Sequence, residues 1–131
     1  MTERKILFAL KKSRQCAGKG YYMESLLKLY HLNTGILRFV SDKLHVANDA
    51  SMKPGELVEK LLIEIEKRPD IKSVIAKKNL KSVRPWFEKM DAFFKTIKRK
   101  EPSNTKTLQA ESEQVLAVLK MAATKLLISG S

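Results

Sequence analysis

Lysine and arginine side chains are crowded into two parts of this sequence, and the chemistry they offer is the binding of phosphates and carboxylates. Residues 67–100 hold twelve Lys/Arg against three Asp/Glu, a net charge of +9, and residues 1–20 add +5. The whole chain has a net charge of +12, so the remaining residues are close to neutral. Clustered cations raise the local potential and attract polyanions. The pattern therefore favours a local anion-binding surface.

The predicted surface consists of cations that avoid the apolar positions of their helix and so face solvent. Lysine and arginine contacts to phosphates give affinity without reading the base sequence. A solvated lysine-rich face is the structural alternative, and an acidic protein partner is the other functional one. The candidate nucleic-acid-binding residues are Lys77, Lys78, Lys81, Arg84, Lys89, Lys95, Lys98, Arg99 and Lys100, assisted by Lys11, Lys12 and Lys19.

Aromatic residues stand beside some of these cations. Tyr21 and Tyr22 follow Lys19 and Gly20, and an aromatic pair next to a glycine and a cation could stack on unpaired bases. The structural alternative is that one tyrosine packs in the core and the other covers its rim. Trp86 is predicted on the flank of the core, with its N–H near the edge.

Arg38 and His45 are the candidate catalytic residues. A step of seven residues places both on one side of a continuous helix, two turns apart. This spacing resembles the arginine–histidine spacing of HEPN-type ribonucleases, and the resemblance implies action on RNA phosphates. In the structural alternative, Arg38 pairs with Asp42, and His45 lies near a helix end where its positive form is favoured.

Metal and nucleophile chemistry has little support. The only plausible ligand set is His31, Asp42, His45 and Asp49, and no H-E-x-x-H or D-x-D arrangement frames it. Cys16 is the single cysteine, so the chain has neither an internal disulfide nor a cysteine-based zinc site. We expect no metal, no cofactor and a protein that is not an enzyme.

Length and composition are those of one folded domain spanning residues 1–131. Of the 131 residues, 44% are hydrophobic and 31% are charged. The apolar run at 6–10 is too short for a signal-peptide core, and no stretch is apolar enough to span a membrane. One cysteine fits a reducing compartment, so we expect a cytoplasmic protein, or a nuclear one in a eukaryote.

Apolar residues recur at helical spacing throughout, without strand alternation. We predict helices over 3–17 and 21–47, one from 54 to the proline at 69, a short segment at 71–80, and helices over 80–97 and 105–128. Pro85 predicts a kink or a new helix beginning near Ser82. Because short loops favour antiparallel neighbours, the predicted fold is all-α: an antiparallel up-down bundle of four main helices with a short extra N-terminal helix.

Two further expectations concern helix faces. Ile6, Leu7 and Leu10 are predicted on the inner side of the first helix. The acidic residues of the third helix are opposite in charge to the basic block, and head-to-tail pairing of the two faces could produce a homo-oligomer. Intramolecular compensation is the alternative. The acidic residues concerned are Glu56, Glu59, Glu64 and Glu66.

The favoured function is therefore that of a non-enzymatic basic helical bundle. It binds nucleic acid or a nucleoprotein complex through its Lys/Arg surface, without strong sequence specificity. The alternative is a protein–protein interaction adaptor whose basic face binds an acidic partner. An HEPN-like ribonuclease acting through Arg38 and His45 ranks third.

Overall fold

The computed structural model describes residues 3–46, 49, 51–96 and 104–129, with side chains as far as residue 126. Within these ranges the chain is all-helical and contains no strand. The helices are α1 (Glu3–Gly18), α2 (Tyr22–Lys43), α3 (Pro54–Ile65), α4 (Pro69–Val74), α5 (Lys77–Thr96) and α6 (Thr105–Ser129).

Prolines and extended residues separate the middle helices. Pro54 and Pro69 each occupy the first turn of a helix, where the missing N–H removes no hydrogen bond. Arg68, which precedes Pro69, is extended (φ −128°, ψ 106°), as a residue before proline prefers. Ile75 is also extended (φ −142°, ψ 129°), so the short segment predicted at 71–80 is divided between α4 and α5.

One hydrophobic cluster joins the described helices. Helix α2 packs against α1, α3 and α6, and α5 packs against α3 and α6. Ile6 of α1 and Ile71 of α4 belong to the same cluster as the apolar faces of α2, α3, α5 and α6. Trp86 is only 2% exposed, and its Nε1–H donates to the carbonyl oxygen of Leu108 at 3.2 Å. The expectation that Trp86 lies on the flank of the core is therefore wrong.

Helices α2 and α6 run side by side in the same direction. Near their first turns, Lys106 Nζ lies 5.4 Å from the ring centroid of Tyr22. Further along, Asn33 Nδ2 donates to the carbonyl oxygen of Ser112 at 3.1 Å. Beyond the C-terminal end of α2, His45 lines a surface recess together with Leu126. The up-down order predicted from short loops would make these two neighbours antiparallel, so the order does not hold for this pair.

A polar layer ties α1 to α2 and α6. The hydroxyl groups of Ser13 and Ser25 are 2.7 Å apart, and Gln109 Nε2 donates to Ser25 Oγ at 3.1 Å. All three residues are buried. Because buried polar groups are costly without partners, this layer favours one register of the three helices.

The end of α2 differs from the prediction. The helix ends at Lys43, and His45 is left-handed (φ 56°). The N–H of Val46 then donates back to the carbonyl oxygen of Ser41 at 2.9 Å. This is the hydrogen-bond pattern of a Schellman motif, in which a left-handed residue stops the helix. The predicted helix to residue 47 is therefore too long.

Two other expectations are corrected. Helix α5 continues through Pro85, so no new helix begins near Ser82. Leu7 is 49% exposed and is not on the inner side of α1. No helix in the described part of the chain is both long enough and apolar enough to cross a membrane.

Candidate nucleic-acid interface

Helix α5 presents most of the predicted basic surface. Its inner face is fixed by six buried apolar side chains, so its orientation is well determined. Because a helix turns by about 100° per residue, Lys78, Lys81 and Lys95 share about 100° of arc on the opposite side. All three are exposed. The buried residues are Leu80, Val83, Trp86, Phe87, Met90 and Phe93.

Three of the predicted cations instead connect α5 to carboxylates. Lys77 is paired with Glu66, which follows α3. Lys89 Nζ lies 3.1 Å from an oxygen of Glu111 on α6. These pairs are solvent-exposed and contribute little stability each, but they reduce the charge available to a ligand.

Arg84 is shared between two carboxylates. It is paired with Glu59 on α3 and with Glu88 four residues further along α5, where Nε to Oε1 is 3.1 Å. The acidic residues of α3 thus compensate part of the basic block within one molecule. That favours intramolecular compensation over the head-to-tail pairing of these faces.

Around Glu66, the cations outnumber the carboxylates. A hydrogen bond from Lys77 and the charge of that ammonium hold the pKa of Glu66 below its usual value, and Lys72 and Lys81 act in the same direction. Lys78, Lys81 and Lys95 form no ion pair with any described residue. The outer face of α5 therefore keeps an excess of positive charge, and these three lysines supply it.

The N-terminal cations lie on a different side of the fold. Arg14 of α1 and Lys89 of α5 bind Glu113 and Glu111 of α6, respectively. Those two glutamates are two positions apart, which places them about 200° apart around α6. Helices α1 and α5 therefore flank α6 on opposite sides, and the described parts of the two basic blocks do not merge into one surface.

For several candidate nucleic-acid-binding residues, the assignment stays a prediction. Lys11, Lys12 and Lys19 are exposed, on or just after α1. The placement of Lys12 is the most specific, because its Nζ lies 5.4 Å from the ring centroid of Phe8. The rest of the predicted block, Lys98, Arg99 and Lys100, lies outside the described residues.

The tyrosine pair is at the surface. Tyr21 is 55% exposed, and Tyr22 is half-buried with Lys106 over its ring. Gly20 is left-handed (φ 83°), a conformation that favours glycine and sets the turn between α1 and α2. The alternative that one tyrosine packs in the core is wrong, and Tyr21 presents an aromatic ring to solvent next to Lys19.

Arg38 and His45 are not two residues of one helix. Arg38 donates to loop carbonyl oxygens, from Nη1 to Asp49 at 3.0 Å and from Nη2 to Met52 at 2.7 Å. His45 lies beyond the end of α2. The shared helical face on which the catalytic hypothesis depended is therefore absent, and Arg38 holds the loop that leads into α3.

The four residues named as the only plausible metal ligands, His31, Asp42, His45 and Asp49, do not form a cluster in the structure. No group of three or more His, Cys, Asp or Glu in the described part of the chain could hold a metal ion. Asp49 instead accepts hydrogen bonds from the side chain and backbone N–H of Ser51, which lower the pKa of its carboxyl group. This carboxylate is used to shape the turn before α3.

Sequence reasoning missed the exposed apolar residues of α1. Leu7 and Phe8 are 49% and 62% exposed. A signal was present: five consecutive apolar residues, 6–10, span more than a full helical turn and cannot all face one neighbour. No family model matches this chain, and neither a curated protein nor a solved structure does.

Proposed function

We propose that this chain is a non-enzymatic helical protein that binds nucleic acid, without strong sequence specificity, through the outer face of α5. The observation that carries the proposal is the exposed row of Lys78, Lys81 and Lys95, which no described carboxylate pairs. Phosphates are the anions that such a row suits, because lysine contacts them as a point charge.

The length of the row fits a stretch of nucleic acid rather than a single anion. Lys78 and Lys95 are separated by seventeen residues, or about 25 Å along α5. At about 3.4 Å per nucleotide, this matches about seven nucleotides of one strand. Cations spread over such a length favour a polyanion.

We further propose that α2, α3, α5 and α6 act as the four-helix scaffold that presents this face. Their contacts follow a closed order in which α2 touches α3, α3 touches α5, α5 touches α6 and α6 touches α2. This order supports a four-helix bundle with α1 and α4 attached to it. We assign the protein to the cytoplasm, or to the nucleus in a eukaryote, in keeping with its single cysteine.

The test is the salt dependence of binding to labelled single-stranded RNA and DNA oligonucleotides. A triple variant, Lys78→Gln/Lys81→Gln/Lys95→Gln, removes the unpaired cations and leaves the ion pairs of α5 intact. The matched control, Lys28→Gln/Lys43→Gln/Lys53→Gln, changes the net charge equally at exposed lysines elsewhere. Full loss of three phosphate contacts flattens the slope of log affinity against log salt by about two to three units.

We expect the control triple to change that slope by less than about one unit. Equal changes in the two triples would show that only the net charge matters, and would contradict a localised interface. A wild-type protein that binds neither RNA nor DNA at low salt would contradict the proposal entirely. It would favour the adaptor function, with an acidic protein on the basic face.

A further inference from the structure

Helix α1 is the least covered of the longer helices. Its buried residues are Ile6 and Ser13 alone, and its main neighbour is α2. Leu7 and Phe8, side by side on the outer part of the helix, are 49% and 62% exposed. Large apolar side chains exposed next to each other mark an interaction surface more often than isolated ones do.

Two apolar recesses flank this exposed pair. The first, of about 480 Å³, lies between α1 and α2 and is lined by Phe8, Ala9, Lys12, Lys28, His31 and Leu32. The second, of about 350 Å³, lies along the other flank of α1 and is lined by Leu7, Leu10, Lys11, Arg14 and Gln15. Both have apolar floors and cationic rims, and none of their described lining residues is a carboxylate.

We propose that this α1 face docks an acidic amphipathic helical segment of another protein. The apolar floor between α1 and α2 would receive the apolar side chains of such a helix, as in other helix-in-groove complexes. Lys12 and Lys28 lie on opposite walls of the first recess. There they would contact the carboxylates that flank the apolar stripe of the docked helix. Lys11 offers the same contact on the second recess.

The charge and the apolar floor of this face together favour an acidic helix of another protein over a second copy of the chain or a nucleic acid. A second copy of the chain carries the same net charge of +12, which opposes self-association. Its exposed Ile63 lies between Lys60 and Lys67 on one side and Glu59 and Glu66 on the other. Those two glutamates are already paired with Arg84 and Lys77 of their own molecule, so they are not available to the lysines of a second copy. Nucleic acid would satisfy the lysines but not the aliphatic floor formed by Leu32 and Ala9.

The inference does not depend on the nucleic-acid proposal. The two surfaces lie on opposite flanks of α6, because Glu113 contacts α1 and Glu111 contacts α5. A substitution in one surface therefore leaves the other intact, and each hypothesis can fail alone.

The test uses the full chain and a designed, fluorescently labelled helical peptide of about 18 residues, long enough to cover the length of α1. It carries leucine and phenylalanine on one face and glutamate elsewhere. A matched peptide has the same apolar face and lysine in place of glutamate. We expect measurable binding of the acidic peptide by fluorescence anisotropy and affinity at least about tenfold weaker for the lysine peptide.

Phe8→Ser, and separately Lys12→Glu/Lys28→Glu, should each weaken the acidic peptide by about tenfold or more. Ile63→Ser is the control, since it removes an apolar side chain of similar exposure on α3 and should leave binding unchanged. Circular dichroism confirms that each variant is folded. The triple variant of Lys78, Lys81 and Lys95 should bind the peptide as the wild type does.

Several results would overturn the inference. Equal binding of the two peptides, or binding unaffected by Phe8→Ser, would show that α1 does not select an acidic helix. Binding to vesicles of anionic phospholipid that depends on Phe8, without peptide binding, would identify a membrane-surface helix instead. Self-association of the wild type that Phe8→Ser abolishes would identify a second copy as the occupant.

Discussion

Helices α1 and α5 both carry a row of cations, and they differ in how each is held in the fold. Helix α5 buries six apolar side chains and sends Lys77, Arg84 and Lys89 to carboxylates on neighbouring elements. Helix α1 buries one apolar residue, Ile6, and leaves Leu7 exposed. Two helices that are both rich in lysine and arginine thus differ in what surrounds those cations. Part of the charge on α5 is paired with carboxylates of neighbouring elements, whereas the cations of α1 surround an apolar surface that no other described helix covers.

The largest expected effect tests the anchoring of α5. Trp86→Ala removes a side chain that is 2% exposed and should lower the free energy of unfolding by about 3–5 kcal/mol. Phe8→Ala on α1 should change it by less than about 0.5 kcal/mol, because that ring is 62% exposed. Urea unfolding followed by circular dichroism measures both. Comparable losses from the two substitutions would mean that α1 is as firmly held as α5.

An intermediate effect is expected for the one apolar anchor of α1. Ile6→Ala should lower the free energy of unfolding by about 2–4 kcal/mol. In the wild type, amide hydrogen exchange should be at least about tenfold faster in α1 than in the buried turns of α5, because fewer contacts oppose local opening. The hydrogen bond between the hydroxyl groups of Ser13 and Ser25 also connects α1 to α2. Ser13→Ala should therefore lower the free energy of unfolding too, by less than Ile6→Ala does. Equal protection of the amides of α1 and α5 from hydrogen exchange would contradict the view that α1 is held less firmly than α5.

The smallest effect concerns the charges that α5 shares with α3. The pKa of Glu66 is lowered in the folded protein by the hydrogen bond and charge of Lys77, so its contribution to stability is present above the unfolded pKa, about 4.3. That contribution is lost as the pH falls through the lower, folded pKa. Glu66→Gln should therefore make the thermal midpoint fall less steeply with acidification. The midpoint of the variant should be slightly lower than that of the wild type near neutral pH, and the two curves should converge at acid pH, where Glu66 is protonated.

Lys53→Gln, an exposed lysine outside this cluster, is the control for the acid titration. It should follow the wild-type curve. High salt should narrow the difference between Glu66→Gln and the wild type, because exposed pairs are screened. A variant curve that coincides with the wild type at low salt would show that the Lys77 pair is not formed in solution.

Local spacing predicts the helices well, and it fails where a single residue decides the outcome. The start of α3 at Pro54 and the break at Arg68 and Pro69 follow from proline stereochemistry. The end of α2 could not be predicted in this way. It depends on the left-handed conformation of His45, and the residue that usually ends a helix in this conformation is glycine. Of the two outcomes predicted at Pro85, the new helix does not occur, since α5 continues through the proline.

On the candidate surface of α5, too, the sequence predicts which side chains face solvent but not which of them pair with distant residues. Spacing predicts that Lys78 and Lys81 face solvent, because the apolar stripe of α5 is regular. It does not predict that Lys89 meets a carboxylate 22 residues away, because that contact depends on how α5 packs on α6. The parallel course of α2 and α6 is equally hidden, since loop lengths describe only consecutive helices.

That parallel course has a consequence for synthesis of the chain. Helix α2 is synthesised before its longest neighbour, α6. The part of α2 that packs against α6 therefore has no partner on the ribosome until α6 has emerged, and contacts so distant in sequence close slowly. We expect the nascent chain to be most prone to aggregation during that interval, because the apolar surface of α2 meant for α6 is exposed to solvent.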